Sequence, residues 1–156
     1  MTKILVIEDD NLIREVVLEL LKSWGFEAIG AENGEVGIEL ATTQIPDLIL
    51  SDVMMPKRNG FEVFAALRSH PATASIPFIF MTASEMEKAI ELKADGYLKK
   101  PCSATEIFGA IATQLQKPTV TNPKYKKAQD NYAPSNLRLR TSNQKSRFEI
   151  ASVCSQ

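Results

Sequence analysis

Five side chains stand where this sequence could do chemistry. Asp9 and Asp10, in the acidic cluster that begins at Glu8, close the apolar run Lys3–Ile7. Asp52 closes the run Leu48–Leu50, Thr82 closes Phe78–Met81, and Lys100 follows Gly96–Lys99. Each lies at the carboxyl end of a short apolar run, where open parallel sheets place their ligand crevices. Carboxylates that converge without an adjacent cation repel one another and resist ionising together. A divalent metal resolves that conflict. Mg²⁺ prefers oxygen ligands and binds through one or two carboxylates, waters and phosphate oxygens. With no His or Cys in the set, Mg²⁺ suits it better than zinc. The Lys100 ammonium is a point charge for a phosphate, and the Thr82 hydroxyl faces the same crevice. Such a set describes a phosphoryl site. Asp52 acts as nucleophile to give an aspartyl phosphate, while metal and lysine stabilise charge on the transferring group. Neither common Gly-rich phosphate loop is present, so nucleotide binding is not indicated.

Such a site requires elements that carry it. Lys3–Ile7, Glu27–Ala31, Leu48–Leu50, Phe78–Met81 and Gly96–Lys99 read as five strands. Ile13, Val16, Val17, Leu20, Leu21 and Trp24 recur at helical spacing, with Asp10 or Asn11 as cap and Gly25 as stop. Further helices are expected over about Glu35–Thr42, Phe61–Ser69 and Glu85–Lys93. A last one starts at the capping box Ser103–Glu106 and ends near Gln116. Trp24 reads as core. Strands alternating with helices imply βαβ units with right-handed crossovers. The fold class is therefore α/β, a doubly wound five-stranded parallel sheet in the order 2-1-3-4-5. That order brings Asp9 and Asp10 beside Asp52. Strand alternation turns Lys100 inward and Lys99 outward.

The set D-D after the first strand, D-x-M-M-P from Asp52 to Pro56, T-A at Thr82 and K-P at Lys100 resembles the receiver domain of two-component response regulators. The resemblance covers about residues 1–116. It implies a flavodoxin-like fold and phosphorylation of Asp52 by a histidine kinase or phosphotransfer protein. It also implies Mg²⁺ on Asp9, Asp10, Asp52 and the main-chain carbonyl of Met54, and a phosphoryl contact from Lys100. The Lys100–Pro101 bond is expected to be cis. Thr82 and Tyr97 match the family's switch pair, whose movement shifts a two-state surface. One departure stands out. Only 14 residues separate Thr82 from Tyr97, about four fewer than the general receiver pattern, so the fourth helix is expected to be short. Lys93 also stands where the family often has Gly.

Composition sets the outer limits. The chain has 156 residues, 44% hydrophobic and 24% charged, as expected for one globular domain with an appendage. No apolar run approaches a membrane span, and no signal region precedes the first strand, so a cytoplasmic protein is expected. Cys102 and Cys154 make no metal or redox spacing and read as free thiols. His70, the single histidine, reads as a loop residue. Residues 1–116 hold 10 Lys/Arg against 17 Asp/Glu, whereas residues 117–156 hold 8 against 2, so an acidic body carries a basic tail. Pro118, Pro123 and Pro134 interrupt the tail, which is expected to be largely disordered. Phe148–Val153 alternates enough to add to a sheet edge. A solvated tail, or one folded back on the acidic body, is expected ahead of nucleic-acid contact. The leading function is a stand-alone receiver that signals through protein–protein contacts. The alternatives are a transcription-related regulator acting through the tail and a small Mg²⁺-dependent aspartyl-phosphate phosphatase. The last lacks a second acid two residues after Asp52, where Met54 stands.

Overall fold

A computed structural model of the chain describes residues 1–115; the expectations for the tail concern residues outside that range. The elements are β1 (Lys3–Ile7), α1 (Asn11–Ser23), β2 (Glu27–Ala31), α2 (Gly34–Gln44), β3 (Leu48–Asp52), α3 (Gly60–Ser69), β4 (Phe78–Thr82), α4 (Met86–Glu91), β5 (Gly96–Lys99) and α5 (Ala104–Leu115). The strands form one parallel sheet in the order β2-β1-β3-β4-β5, as the alternation implied. Helices cover both faces, which is why β3 and β4 are buried along their length rather than at alternate residues.

Alternate side chains of each strand serve opposite faces. Ile4 and Val6 join Val17, Leu21, Trp24, Ile107 and Ile111, a core shared by α1 and α5. Leu5 and Ile7 join Val63, Phe64 and Leu67 on the other face. Trp24 packs edge-on against Phe108 with ring centroids 5.1 Å apart, so it is core, as read. Burying each such side chain contributes roughly 1.5–3 kcal/mol. The expected capping box closes on itself: Ser103 N–H donates to Glu106 and Glu106 N–H to the Ser103 hydroxyl.

Two helices differ from their sequence pattern. In α1 the buried residues are Val17, Leu18 and Leu21, whereas Ile13 and Val16 are 40% and 52% exposed. The apolar positions of this helix run most of the way round it, and only one stripe meets the sheet. α4 is shorter than its pattern and ends at Glu91. The chain turns there through Lys93, whose φ of 56° lies in the left-handed region that a side chain disfavours. Among the described residues, no helix is long and apolar enough to cross a membrane.

Candidate functional site at the carboxyl edge of the sheet

Register decides which side chains meet. Ile7 pairs with Ser51, Asp52 with Met81, and Thr82 with Lys99, so the residues that follow β1 and end β3, β4 and β5 share one edge. Glu8 N–H still bonds to the Ala31 carbonyl, and Lys100 N–H to that of Thr82, each extending its ladder by one residue. Glu8 and Lys100 are thereby held by sheet geometry rather than by loops.

Asp52 is 8% exposed and anchored locally: its Oδ1 accepts from Val53 N–H at 2.8 Å. Its Oδ2 lies 3.3 Å from the Lys100 ammonium. The loop beyond it closes through Gly60, whose N–H bonds to the Val53 carbonyl at 2.8 Å. A Cβ at Gly60 would run into the Asp52 carbonyl oxygen, so only glycine lets α3 begin this close to the end of β3.

Lys100 also reaches Glu8, with Nζ to Oε2 at 2.6 Å. Glu8 is 1% exposed, and its Oε1 accepts from Asp10 N–H. Arg14 donates to the Glu8 carbonyl and to the Asn11 side chain, fixing the turn from β1 into α1. Burial, then the Asp52 charge, push the Glu8 carboxyl up, against the pull of Lys100. Burial draws the Lys100 ammonium down, but its bond to Glu8 and the two nearby negative charges outweigh that, so it ends above its ordinary value.

The acidic cluster keeps Asp9 and Asp52 from the sequence pattern but holds Glu8 rather than Asp10. Carboxylate oxygens of Glu8, Asp9 and Asp52 lie within 4.8 Å of one another. The Asp10 carboxylate instead caps α1, with Oδ1 accepting from Ile13 N–H at 2.9 Å. Glu8 joins the cluster instead, because the β1 ladder holds Glu8 at the sheet edge while Asp10 is the N-cap of α1. The Met54 side chain is 66% exposed on the loop after Asp52. With three carboxylates against the single Lys100 ammonium, the donor set is all oxygen and net negative, which suits a small hard dication.

Thr82 and Tyr97 lie on neighbouring strands, Thr82 at this edge and Tyr97 nearer the start of β5, paired with Phe80. The Thr82 hydroxyl is buried and accepts from Glu85 N–H at 2.9 Å, tying the strand end to the start of α4. The Tyr97 hydroxyl donates to the Ala94 carbonyl at 3.1 Å. Burial, then the Asp95 charge, push its phenol up. The Lys100–Pro101 peptide is cis, and Lys99 is exposed while Lys100 turns in. His70 is exposed on the loop after α3, remote in sequence and fold from this edge.

Comparison with known proteins agrees with this arrangement. Residues 4–112 match the model of the response regulator receiver domain. The chain is 40% identical over 121 residues to the transcriptional regulatory protein CpxR of Escherichia coli K12, covering 75% of this chain and 50% of that protein. It is 34% identical over 125 residues to the alkaline phosphatase synthesis transcriptional regulatory protein PhoP of Bacillus subtilis, covering 78% and 51%. The chain thus spans about half the length of the curated relatives it matches. Among solved structures, the chemotaxis protein CheY4 of Vibrio cholerae superimposes with a TM-score of 0.69 at 28% identity, over 74% of this chain and 99% of that one. A receiver domain protein of Clostridium thermocellum gives 0.71 at 25% identity, over 77% and 98%. The match runs from β1 into α5 and takes in every strand end that carries the site: the chain belongs to the response regulator receiver family.

Proposed function

We propose that Asp52 accepts a phosphoryl group from a histidine kinase or phosphotransfer protein in the cytoplasm, and that residues 1–116 signal the result by protein–protein contact. The observation that carries this reading is the buried Asp52 carboxylate beside Lys100, within one cluster with Glu8 and Asp9. Asp52 Oδ attacks phosphorus. The bond from phosphorus to the donor's nitrogen or acyl oxygen breaks, and its electron pair leaves with the donor. The residues fitted to hold Mg²⁺ are Glu8, Asp9 and Asp52, with the Met54 carbonyl as a further ligand; Asp10 is left to the helix. Bound there, Mg²⁺ would neutralise charge on the transferring group. The Lys100 ammonium moves from its shared seat between Glu8 and Asp52 to the phosphoryl oxygens, so the cation is already in place when charge arrives.

The signal leaves through Thr82 and Tyr97. Thr82 follows the phosphoryl oxygen, which draws its hydroxyl from Glu85 N–H. Tyr97 gives up its bond to the Ala94 carbonyl as its ring turns inward. Both bonds being replaced lie at the two ends of the α4 segment. The basic residues 117–156 form an appendage to this unit.

The test is direct. The full chain is incubated with Mg²⁺ and a small acyl phosphate, and its intact mass is measured. Wild type gains one phosphoryl group and Asp52→Asn gains none. Equal gain in both, or none in wild type, overturns the reading.

A further inference from the structure

α1 carries apolar residues that nothing among the described residues covers. Leu12 is 74% exposed and Val16 52%. They stand four apart, one above the other on the same helix face. Ile13 borders them at 40% exposure. Glu15 and Glu19, both exposed, flank the same stripe on its other side. The helix therefore presents an apolar strip with an acidic margin to solvent, opposite the face it packs on the sheet. The other pair of exposed apolar residues close together, Ile90 and Leu92, sits among charges of both signs: Glu87, Lys88, Glu91 and Lys93.

The occupant that the chain itself offers is basic and apolar. Residues 1–116 carry 17 acids to 10 bases, and residues 117–156 carry 8 bases to 2 acids. Within that segment Lys124, Lys126 and Lys127 surround Tyr125, and Arg138 and Arg140 alternate with Leu137 and Leu139. The point of departure is favourable as well. α5 ends at Leu115, which lies in the same core cluster as Trp24 at the end of α1. From Trp24 back to Val16 is roughly 12 Å of helix at about 1.5 Å per residue. The nine residues from Leu115 to Lys124 reach up to about 30 Å when extended, so the basic stretch arrives without strain.

We infer that the basic segment 124–140 docks on the Leu12–Val16 strip of its own α1, its cations set against Glu15 and Glu19. Tyr125, Leu137 and Leu139 cover the apolar strip. The intrachain link gives the segment a high effective concentration, so a contact too weak to form between separate molecules is populated here.

Carbodiimide coupling of the full chain, which joins lysines to carboxylates in contact, tests this. The expected products are intramolecular links from Lys124, Lys126 or Lys127 to Glu15 or Glu19, found in the monomer mass and mapped by peptide mass spectrometry. In the Leu12→Ser/Val16→Ser variant their yield falls roughly tenfold, the equivalent of about 1.4 kcal/mol; both residues are exposed, so the fold tolerates the change. Links spread evenly over other surface carboxylates such as Glu35 and Glu87 overturn the proposal, as do links confined to dimers or a yield unaffected by the double substitution. The absence of any tail-to-body link overturns it too.

Discussion

The Lys100 ammonium stands 2.6 Å from Glu8 Oε2 and 3.3 Å from Asp52 Oδ2, leaning on the acid that follows β1 more than on the one that ends β3. Each carboxylate also accepts one backbone N–H, Glu8 from Asp10 and Asp52 from Val53, but Glu8 is the more deeply buried and so depends more on that cation. Removing one partner of a buried pair costs about 3–5 kcal/mol. The Lys100 side chain is 21% exposed, so water recovers part of this. Lys100→Ala is expected to lose about 1–3 kcal/mol at pH 7 in urea unfolding. The loss depends on pH. Burial and the Asp52 charge raise the Glu8 carboxyl above 4.5, so the folded state holds its proton more tightly than the unfolded one. Stability from that proton is greatest below pH 4.5 and falls as pH rises through the folded value. Without Lys100 the rise is larger, so the deficit of the variant shrinks as pH is lowered from 7 towards 4.5. The lysine's window has the same sign but lies at higher pH: its contribution is full below its unfolded value of 10.5 and is lost as pH rises through the higher folded value. A deficit equal at pH 5 and pH 7 would contradict this account.

Asp9 and Asp10 are neighbours with separable roles. Asp10→Ala removes a helix cap and should cost about 1 kcal/mol of stability, with Mg²⁺ affinity by titration calorimetry changed little. Asp9→Asn should weaken Mg²⁺ binding by roughly tenfold or more, with no comparable loss of stability; Glu8→Gln should weaken it similarly and lose stability as well, because it breaks the buried pair with Lys100. The reverse pattern would return Asp10 to the metal site.

Gly60→Ala tests how tightly the acceptor is held. Its Cβ would meet the Asp52 carbonyl oxygen and the Val53 backbone, groups that cannot swing aside. Overpacking of this kind costs about 1–3 kcal/mol. The melting temperature should fall, and phosphorylation from a small donor should slow because the strand end that carries Asp52 is displaced. An unchanged rate of phosphoryl gain would mean the strand end absorbs the clash.

Lys93→Gly tests the turn after α4. Lys93 holds φ at 56°, a conformation that costs a residue with a Cβ about 1–2 kcal/mol relative to glycine. Glycine loses more freedom on folding, which offsets part of the gain. A net stabilisation of up to about 1 kcal/mol is expected in thermal or urea unfolding. A destabilised variant would show that the Lys93 side chain contributes contacts beyond the backbone.

The strands, their order and the positions of Asp52, Thr82 and Lys100 were legible because each apolar run ends abruptly at a polar residue and parallel topology aligns those ends. Glu8 was harder to place. Three consecutive acids follow β1, and sequence does not say where the strand stops and the helix cap begins. Asp10 read both as a helix cap and as a member of the acidic set, and its carboxylate caps α1 through Ile13 N–H. The cue available was the count back from the first helical turn, which spends Asp10 and shifts the cluster to Glu8 and Asp9. The exposure of Leu12 and Val16 was also hidden, since periodicity shows that a helix has apolar faces but not how many of them find a neighbour. The early stop of α4 follows from Lys93, a residue whose type favours continuing a helix while its backbone here ends one.

Asp95 carries a role not visible in the strand pattern. It accepts from Phe78 N–H and from Arg68, whose other nitrogen is bonded to the Ala74 and Ile76 carbonyls. The start of β5 is thereby stapled to the start of β4 and to the loop before it. At the opposite end, Thr82 ties β4 to Glu85. Residues 83–94 therefore hang between two anchors that do not depend on their number, and loop closure changes little with a few residues more or less. That makes the stretch an exchangeable cassette. Its length and surface can drift while the sheet edge that carries Asp52 stays as it is.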